Sequence, residues 1–469
     1  MIHRIIAVVS VGVLGYFVLM QLYLLALALI SAFALNKERM LERFGRIDDM
    51  LVSDVSPPVS IVLPAYNEEV GVVESVRSVA MISYPRFEIV VVNDGSTDGT
   101  LQKLIDTFNL VPVPLPFRAN IPTAQVGQVY HSTSPVSITV VDKLNGGRAD
   151  ALNAGINVAR FPYVMLTDAD VLIDGKALVN AMRHVVEDRD RTVAVGGNIR
   201  PLNGCVVKFG HIVEANVPES FIERWQLLEY VRSFVAARPA WASFNGLPLV
   251  SGAFGIYLRE AVVNVGGLTS GHMGEDMDLT MRIHRYYRSL GKPYRMVYAP
   301  SAVVWTEVPS TRQVLRRQRI RWHRGLMTAV HDFRSSFFNP HHGALGMISW
   351  PAMVLFEYLA PIIEMAGYLI VPIAIILGAV AWENALLMLA LAFLAGAFTS
   401  LIALLLDERY GYFNRPLAAL RLVLIVFVEN FGLRQQTVWW RVRALIGGGS
   451  THGWGDMQRR GVANLGKSS

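Results

Sequence analysis

Asp168 and Asp170 stand two residues apart, directly after the apolar run Tyr163-Val164-Met165-Leu166-Thr167. On extended backbone that spacing sends both side chains to one side. Two carboxylates so placed repel unless a cation lies between them, and hard divalent ions such as Mg2+ or Mn2+ take oxygen ligands of this kind. The plain alternative is a solvated loop end or helix cap. Asp276, with Glu275 beside it, opens an apolar-periodic run of Met277, Leu279, Met281 and Ile283. A carboxylate there stabilises a helix N-terminus, and a helix start is also a good place to hold a base. Asp94 lies in Asn93-Asp94-Gly95, which suits a helix-capping turn as well as a ligand-facing carboxylate. Lys143 and Arg148 add two basic groups after another apolar run. Gln318, Arg321 and Trp322 form a compact set: the indole offers a flat apolar face, and the other two offer hydrogen-bond donors. Because Arg312, Arg316, Arg317, Arg319 and Arg324 surround them, a basic amphipathic helix at a membrane surface is an equal reading.

Such groups act together only if the chain brings them to one place. The runs Val59–Leu63, Glu88–Val92, Ser137–Val141 and Tyr163–Thr167 are short and rich in β-branched residues, as strands buried on both faces of a parallel sheet must be. Each ends in polar or turn-forming residues: Tyr66-Asn67-Glu68, Asn93-Asp94-Gly95, Asp142-Lys143 and Asp168-Ala169-Asp170. In a doubly wound α/β sheet, ligands bind beyond the carboxyl ends of the strands, so all four clusters should face one pocket. Residues 112–122 are rich in proline and predict a surface loop.

The composition places this α/β unit beside a membrane. Of the 469 residues, 52% are hydrophobic and only 17% charged, and the mean hydropathy is +0.37. That excludes disorder, a disulfide scaffold and a purely soluble enzyme. The single Cys205 excludes an internal disulfide and any multi-cysteine metal site. The net charge of +6 comes with no basic stripe interleaved with aromatics, so no nucleic-acid partner is expected. Ile5 to Leu35 carries no charge and is long enough to span a bilayer as an uncleaved anchor. Lys37, Arg39, Arg43 and Arg46 follow it, which predicts a cytoplasmic location for what comes next. The second apolar block starts near Ala344. It predicts an interfacial helix to about Tyr358, a span from about Pro361 to Ala381, a turn at Trp382-Glu383-Asn384 and a returning span from Ala385 to Leu406. Residues 416–432 carry Arg421 and Glu429 and are followed by arginines, which favours a segment lying on the membrane.

The motifs Pro64-Ala65-Tyr66-Asn67-Glu68-Glu69, Asn93 to Thr100, Asn145 to Asn153, Asp168-Ala169-Asp170, Gly274-Glu275-Asp276 and Gln318-Arg319-Ile320-Arg321-Trp322 occur in this order. Together they resemble a family-2 glycosyltransferase. The Q-x-x-R-W set resembles the processive branch: poly-N-acetylglucosamine, hyaluronan, chitin-oligosaccharide and cellulose synthases. The resemblance implies an α/β, doubly wound nucleotide-sugar-binding domain of the glycosyltransferase A type, flanked by transmembrane and interfacial helices. It implies a UDP-sugar donor, with N-acetylglucosamine favoured, a growing polysaccharide acceptor and Mg2+ or Mn2+. It assigns Tyr66, Glu68 and Asp94 to the nucleoside, Asp170 to the metal, and Asp168 to the metal, ribose or sugar. Asp276 becomes the base that inverts the anomeric centre, oriented by Glu275, and Gln318, Arg321 and Trp322 meet the acceptor. Lys143 and Arg148 would contact phosphate or order the pocket; the family usually has Lys where this chain has Arg148. Trp454, Gly455, Arg459 and Arg460 resemble a gating segment, although Asp456 departs from the relatives' pattern.

The sequence thus predicts a multi-pass inner-membrane enzyme with its catalytic domain in the cytoplasm. The expected organisation is an anchor over 1–36, a linker over 37–58, the transferase over 59–325, membrane helices over 326–434 and a basic tail over 435–469. The product is a β-linked polysaccharide made processively. The competing readings are a single-addition transferase acting on a lipid-linked acceptor and an inactive nucleotide-binding assembly subunit. So few spans enclose at most a narrow channel, so a small membrane subunit or self-association is expected to complete an export path.

Overall fold

The apolar runs that end in polar clusters become neighbouring strands. In chain order the strands are β1 (Val59–Ala65), β2 (Phe87–Asp94), β3 (Val111–Pro112), β4 (Val126–Ser132), β5 (Ile138–Lys143), β6 (Tyr163–Thr167), β7 (Leu172–Ile173), β8 (Thr192–Pro201), β9 (Val206–Lys208), β10 (His211–Glu214), β11 (Phe254–Leu258) and β12 (Arg295–Thr306). The structure, a computed structural model, describes residues 2–44, 56–114, 119–132, 136–208, 211–408 and 416–446. A sheet of ten strands runs β3-β4-β5-β2-β1-β6-β11-β8-β12-β7, and β9 pairs with β10 separately.

Strands β5, β2, β1 and β6 are mutually parallel. Taken as the first four parallel strands of the chain, their spatial order is third, second, first, fourth. That is the order of a mononucleotide-binding half, with its topological switch point between β1 and β6. Helices Val72–Ala80, Thr100–Phe108 and Arg148–Val158 make the three connections. Right-handed crossovers put the third on the face opposite the first two, because the chain there moves the other way across the sheet. The strands are longer than their apolar cores: Asp94 and Lys143 are the last residues of β2 and β5, and sit in register opposite each other.

The predicted surface loop over 112–122 is in part a sheet element. Val111 and Pro112 pair with β4, which itself runs antiparallel to β5 at the edge. Proline is tolerated there because an edge strand needs no donor on its outer side. Strands β8, β11 and β12 extend the sheet past β6 with mixed direction. The pairing of β12 with β8 shifts register between Ala299 and Val303, around Pro300.

The described chain divides into two units, each discontinuous in sequence. One comprises Lys37–Pro218 and Ala242–Val308 and contains the sheet. The other comprises the residues up to Asn36, the stretch Glu219–Trp241, and the described residues from Pro309 onward. Residues 219–241 and 309–325, expected within the transferase, therefore pack with the apolar helices. Two helices, His3–Met40 and Trp382–Glu408, are long and apolar enough to cross a membrane. Leu345–Tyr358 with Ala360–Ile376, and Pro416–Val428 with Leu433–Ile446, form pairs bent by 42° and 59°. The expected turn at Trp382 lies earlier, around Gly378, whose φ is +67°. Trp382 and Glu383 instead open the helix, where an acidic side chain suits the N-terminal dipole.

Within this apolar unit, polar side chains of the first helix meet π-helical turns. Ser31 donates to the Ala236 carbonyl (2.9 Å) and accepts from the Ala240 N–H (3.0 Å), at the turn Arg232–Ala237. Tyr16 donates to the Leu355 carbonyl (2.8 Å) in the turn Val354–Tyr358. A π-helical turn shifts the regular backbone ladder, and these hydroxyls bond to backbone in or just after such turns.

Gly155 lets the Arg148–Val158 helix lie close on the sheet, since a Cβ there would collide with Val62 and approach Val92. Gly155→Ala should lower stability by on the order of 1 kcal/mol, because overpacking of ~1–3 kcal/mol exceeds the helix-propensity gain of ~1 kcal/mol. A thermal melt as high as that of the parent would refute this account of the packing.

Candidate active site

The carboxyl ends of the parallel strands carry two buried charge clusters. In the first, the Lys143 ammonium at the end of β5 donates to Asp94 Oδ1 (2.6 Å) and to the Leu144 carbonyl (2.6 Å), and pairs with Asp150 Oδ1 at 2.6 Å. Its side chain is 0% exposed, and these three partners use all three of its protons. Asp94 also accepts the N–H of Gly146 on Oδ1 (3.0 Å) and of Gly147 on Oδ2 (2.8 Å), while Asn145 donates to its backbone carbonyl. Gly147, with φ +86°, takes the left-handed turn that starts the next helix.

Asp94 is thus enclosed at the root of the Asn145–Gly147 loop, with only 3% of its surface exposed. In this geometry Asp94 orders the loop, with two donors on Oδ1 and one on Oδ2. The exposed groups nearby come from the segment after β1. Tyr66 is 51% exposed, and its neighbours are stitched to the segment after β2. The Asn67 N–H donates to Ser96 Oγ, Asn67 Oδ1 accepts the Thr97 N–H, and the Glu68 N–H donates to Thr100 Oγ1.

The second cluster is built on Arg148 at the first turn of its helix. Nε donates to Asp168 Oδ1 (2.6 Å), Nη1 to Glu275 Oε1 (2.8 Å) and Nη2 to the Gly252 carbonyl (2.8 Å). Burial opposes the charge, yet Asp168 and Glu275 together hold the guanidinium pKa above its already high ordinary value. Burial likewise pushes the Glu275 carboxyl up; Arg148 counters and the neighbouring Asp276 adds to the rise. Asp276 Oδ2 accepts the Gly252 N–H (3.1 Å), and Oδ1 accepts the Met277 N–H (2.8 Å). Asp276, Arg148, Ser251, Gly252 and Tyr257 line one small cleft. Lys143 and Arg148 both bond to protein oxygens around the pocket.

Asp168 and Asp170 follow β6 at the switch point, both half-buried. No group of three or more His, Cys, Asp or Glu side chains gathers as a ready metal cage among the described residues. Two half-buried carboxylates two residues apart instead suit a hard divalent ion that completes its shell with oxygens from elsewhere.

Sequence reasoning missed four contributors here. Asp150 accepts the Ala124 N–H and pairs with Lys143. Asn153 and Asn157 clamp the backbone of Leu268 and Ile121, each through both amide atoms. Asp150, Asn153 and Asn157 lie at helical spacing on one face, a signal available in the sequence. Gly252, the fourth, lies in Ser251-Gly252-Ala253-Phe254, which resembles the family's acceptor-side segment but by itself reads only as a loop.

Gln318, Arg321 and Trp322 belong to the apolar unit, on the helix Arg312–Asp332. Trp322 is 42% exposed. The Arg319 guanidinium lies 4.8 Å from the Trp322 ring centre and 5.4 Å from that of Trp225, and donates to Glu229 Oε2 (2.6 Å). Gln318 Oε1 is buried without a hydrogen-bond partner among the described residues. The set is an aromatic platform backed by a cation. Trp454, Gly455, Arg459 and Arg460 lie outside the described residues.

Comparison with known proteins gives this arrangement its setting. Residues 121–325 match the family described as glycosyltransferase like family 2, and residues 60–116 match glycosyl transferase family 2. The chain is similar to a poly-beta-1,6-N-acetyl-D-glucosamine synthase of Staphylococcus epidermidis, 28% identical over 270 residues, which is 57% of this chain and 54% of that protein. The synthase of Staphylococcus aureus strain COL is 26% identical over 268 residues, with the same shares. The match thus spans about half the length of these curated relatives. A mannosyltransferase of Pyrobaculum calidifontis, solved with GDP-Man and Mn2+, aligns over 90% of this chain and 98% of its own at 19% identity, with a TM-score of 0.46. That likeness is too loose to transfer ligands. The two consecutive family matches, which together cover more than half of the chain, contain every charged group of the strand-end clusters, and the chain belongs to the family-2 glycosyltransferases.

Proposed function

We propose that this protein is a membrane-bound, inverting glycosyltransferase that polymerises a β-linked polysaccharide processively from a UDP-sugar, with N-acetylglucosamine the favoured sugar. The observation that carries the reading is the placement of Asp276. Its carboxylate is held by two backbone N–H groups at a helix start, in the cleft that Arg148 joins to Asp168 at the end of β6. One carboxylate in reach of an acceptor hydroxyl suffices for a single displacement, which inverts the anomeric carbon. The polymer and its sugar are suggested by the two staphylococcal synthases.

Tyr66 and Glu68 flank the nucleoside in this reading, and Asp94 acts behind them through the Asn145–Gly147 loop. Asp170, with Asp168 beside it, would hold one divalent cation, Mg2+ or Mn2+. When bound, that cation neutralises charge on the departing diphosphate. Arg148 and Glu275 fix the base side of the cleft. Trp322, backed by Arg319, offers a stacking face for an acceptor sugar, with Gln318 and Arg321 as donors to its hydroxyls. Lys37, Arg39, Arg43 and Arg46 after the first apolar helix keep the transferase in the cytoplasm of a multi-pass inner-membrane protein. A small membrane subunit or a second copy of the chain would complete an export path.

Three results test this. Membranes containing the protein, given a panel of labelled UDP-sugars, should form polymer from UDP-N-acetylglucosamine; release of a single-addition product only would favour the lipid-acceptor alternative. Asp276→Asn keeps size and polarity but cannot take up a proton, so polymer should be nearly lost while donor binding persists. Turnover remaining within about tenfold of the parent, ~1.4 kcal/mol of barrier, would remove Asp276 from the role of base. Asp170→Ala should abolish activity at any practical Mg2+ or Mn2+ concentration, and parent activity surviving in excess chelator would overturn the metal assignment.

A further inference from the structure

We propose that Arg148 is a positioning residue that sets the distance between the donor-side carboxylate Asp168 and the base Asp276, and that Gly252 and the arginine fork pack as a coupled pair. The inference rests on the transferase reading above and deepens it. A guanidinium is planar and directs its N–H groups along fixed diverging lines. Here Nε takes Asp168, Nη1 takes Glu275 and Nη2 takes the Gly252 carbonyl, at 2.6, 2.8 and 2.8 Å. Three separate pieces of chain are thereby tied to one rigid group: the end of β6, the start of the Glu275–Ser289 helix and the loop before β11. Asp276 is not touched by the fork. It is held through Gly252, whose N–H donates to Asp276 Oδ2 while its carbonyl receives Nη2.

Gly252 has no room for a side chain. A Cβ there would lie 2.9 Å from Nη2, 3.3 Å from Nη1 and 3.4 Å from Cζ of Arg148. The glycine and the arginine therefore form a matched pair. A lysine in place of Arg148 would keep the positive charge but present one tetrahedral ammonium, which cannot span the same three acceptors in a plane. It would also withdraw from the space over residue 252.

The test is a cycle of Arg148→Lys, Gly252→Ala and the double variant in the full-length protein in membranes or detergent. Three quantities are read: turnover of UDP-N-acetylglucosamine, binding of UDP, and melting temperature. Arg148→Lys should lower kcat at least tenfold, and by more than it raises KM for the donor, because Asp168 and the base lose their common tie. Gly252→Ala should reduce kcat and melting temperature when Arg148 is present and have little further effect when added to Arg148→Lys, a non-additivity expected only of groups in contact. Equal effects of Gly252→Ala in both backgrounds would overturn the proposal. So would an Arg148→Lys variant with parent kcat, or one whose loss lies in KM. Should the parent turn over no UDP-sugar, the transferase reading fails by itself, and the melting-temperature cycle still decides whether fork and glycine act as a pair.

Discussion

Carboxylates placed at the closed ends of parallel strands lose water, and each must then find a cation or several N–H groups nearby. Asp94 and Asp150 share Lys143, and Asp168 and Glu275 share Arg148. Both cations lie within the stretch from β5 to the next helix, so one turn of chain neutralises both halves of the site. Removing Lys143 would leave two buried acids with no countercharge, which is costly by several kcal/mol, and removing Arg148 would leave two partly buried ones. The Gly146–Gly147 loop, the start of the following helix and the Gly252 peptide all take their positions from these two groups.

The same arrangement shapes how a diphosphate is received. Lys143 has no proton left for a phosphate, and Arg148 has committed three of its five N–H groups to protein oxygen. An incoming diphosphate brings negative charge to a place that already holds Asp168, Asp170 and Asp276. In the proposed function a divalent ion at Asp170 resolves that conflict, and the protein's own cations remain structural.

The apolar unit meets the same constraint in another setting. Glu429 is buried, and its carboxylate receives Arg232, with Ser400 nearby. Arg434 grips both oxygens of Glu364 at 2.9 and 3.2 Å. Charge within an apolar stretch suggested, from sequence, a segment lying on a surface. Glu429 and Arg434 have their partners on other helices, as ionisable groups among apolar helices ordinarily do. Hydropathy counts a charge but cannot see who neutralises it.

The residues by themselves determined the centre of this protein. Four β-branched runs named the parallel strands, because burial on both faces leaves no freedom in residue type, and the polar clusters after them marked one end of the sheet. Two long uncharged stretches named the helices able to cross a membrane for the same reason. Tertiary structure decided the rest. β12 was illegible because Pro300 interrupts it and a register shift absorbs the interruption. Asp94 read as a turn acid or a ligand-facing one, and its burial became visible only once Lys143, three loop donors and Asp150 closed around it. Gly252 read only as part of a loop segment, since its contact is with a residue more than a hundred positions away. Local pattern reports what each residue prefers; only the fold decides which charges and which spaces meet.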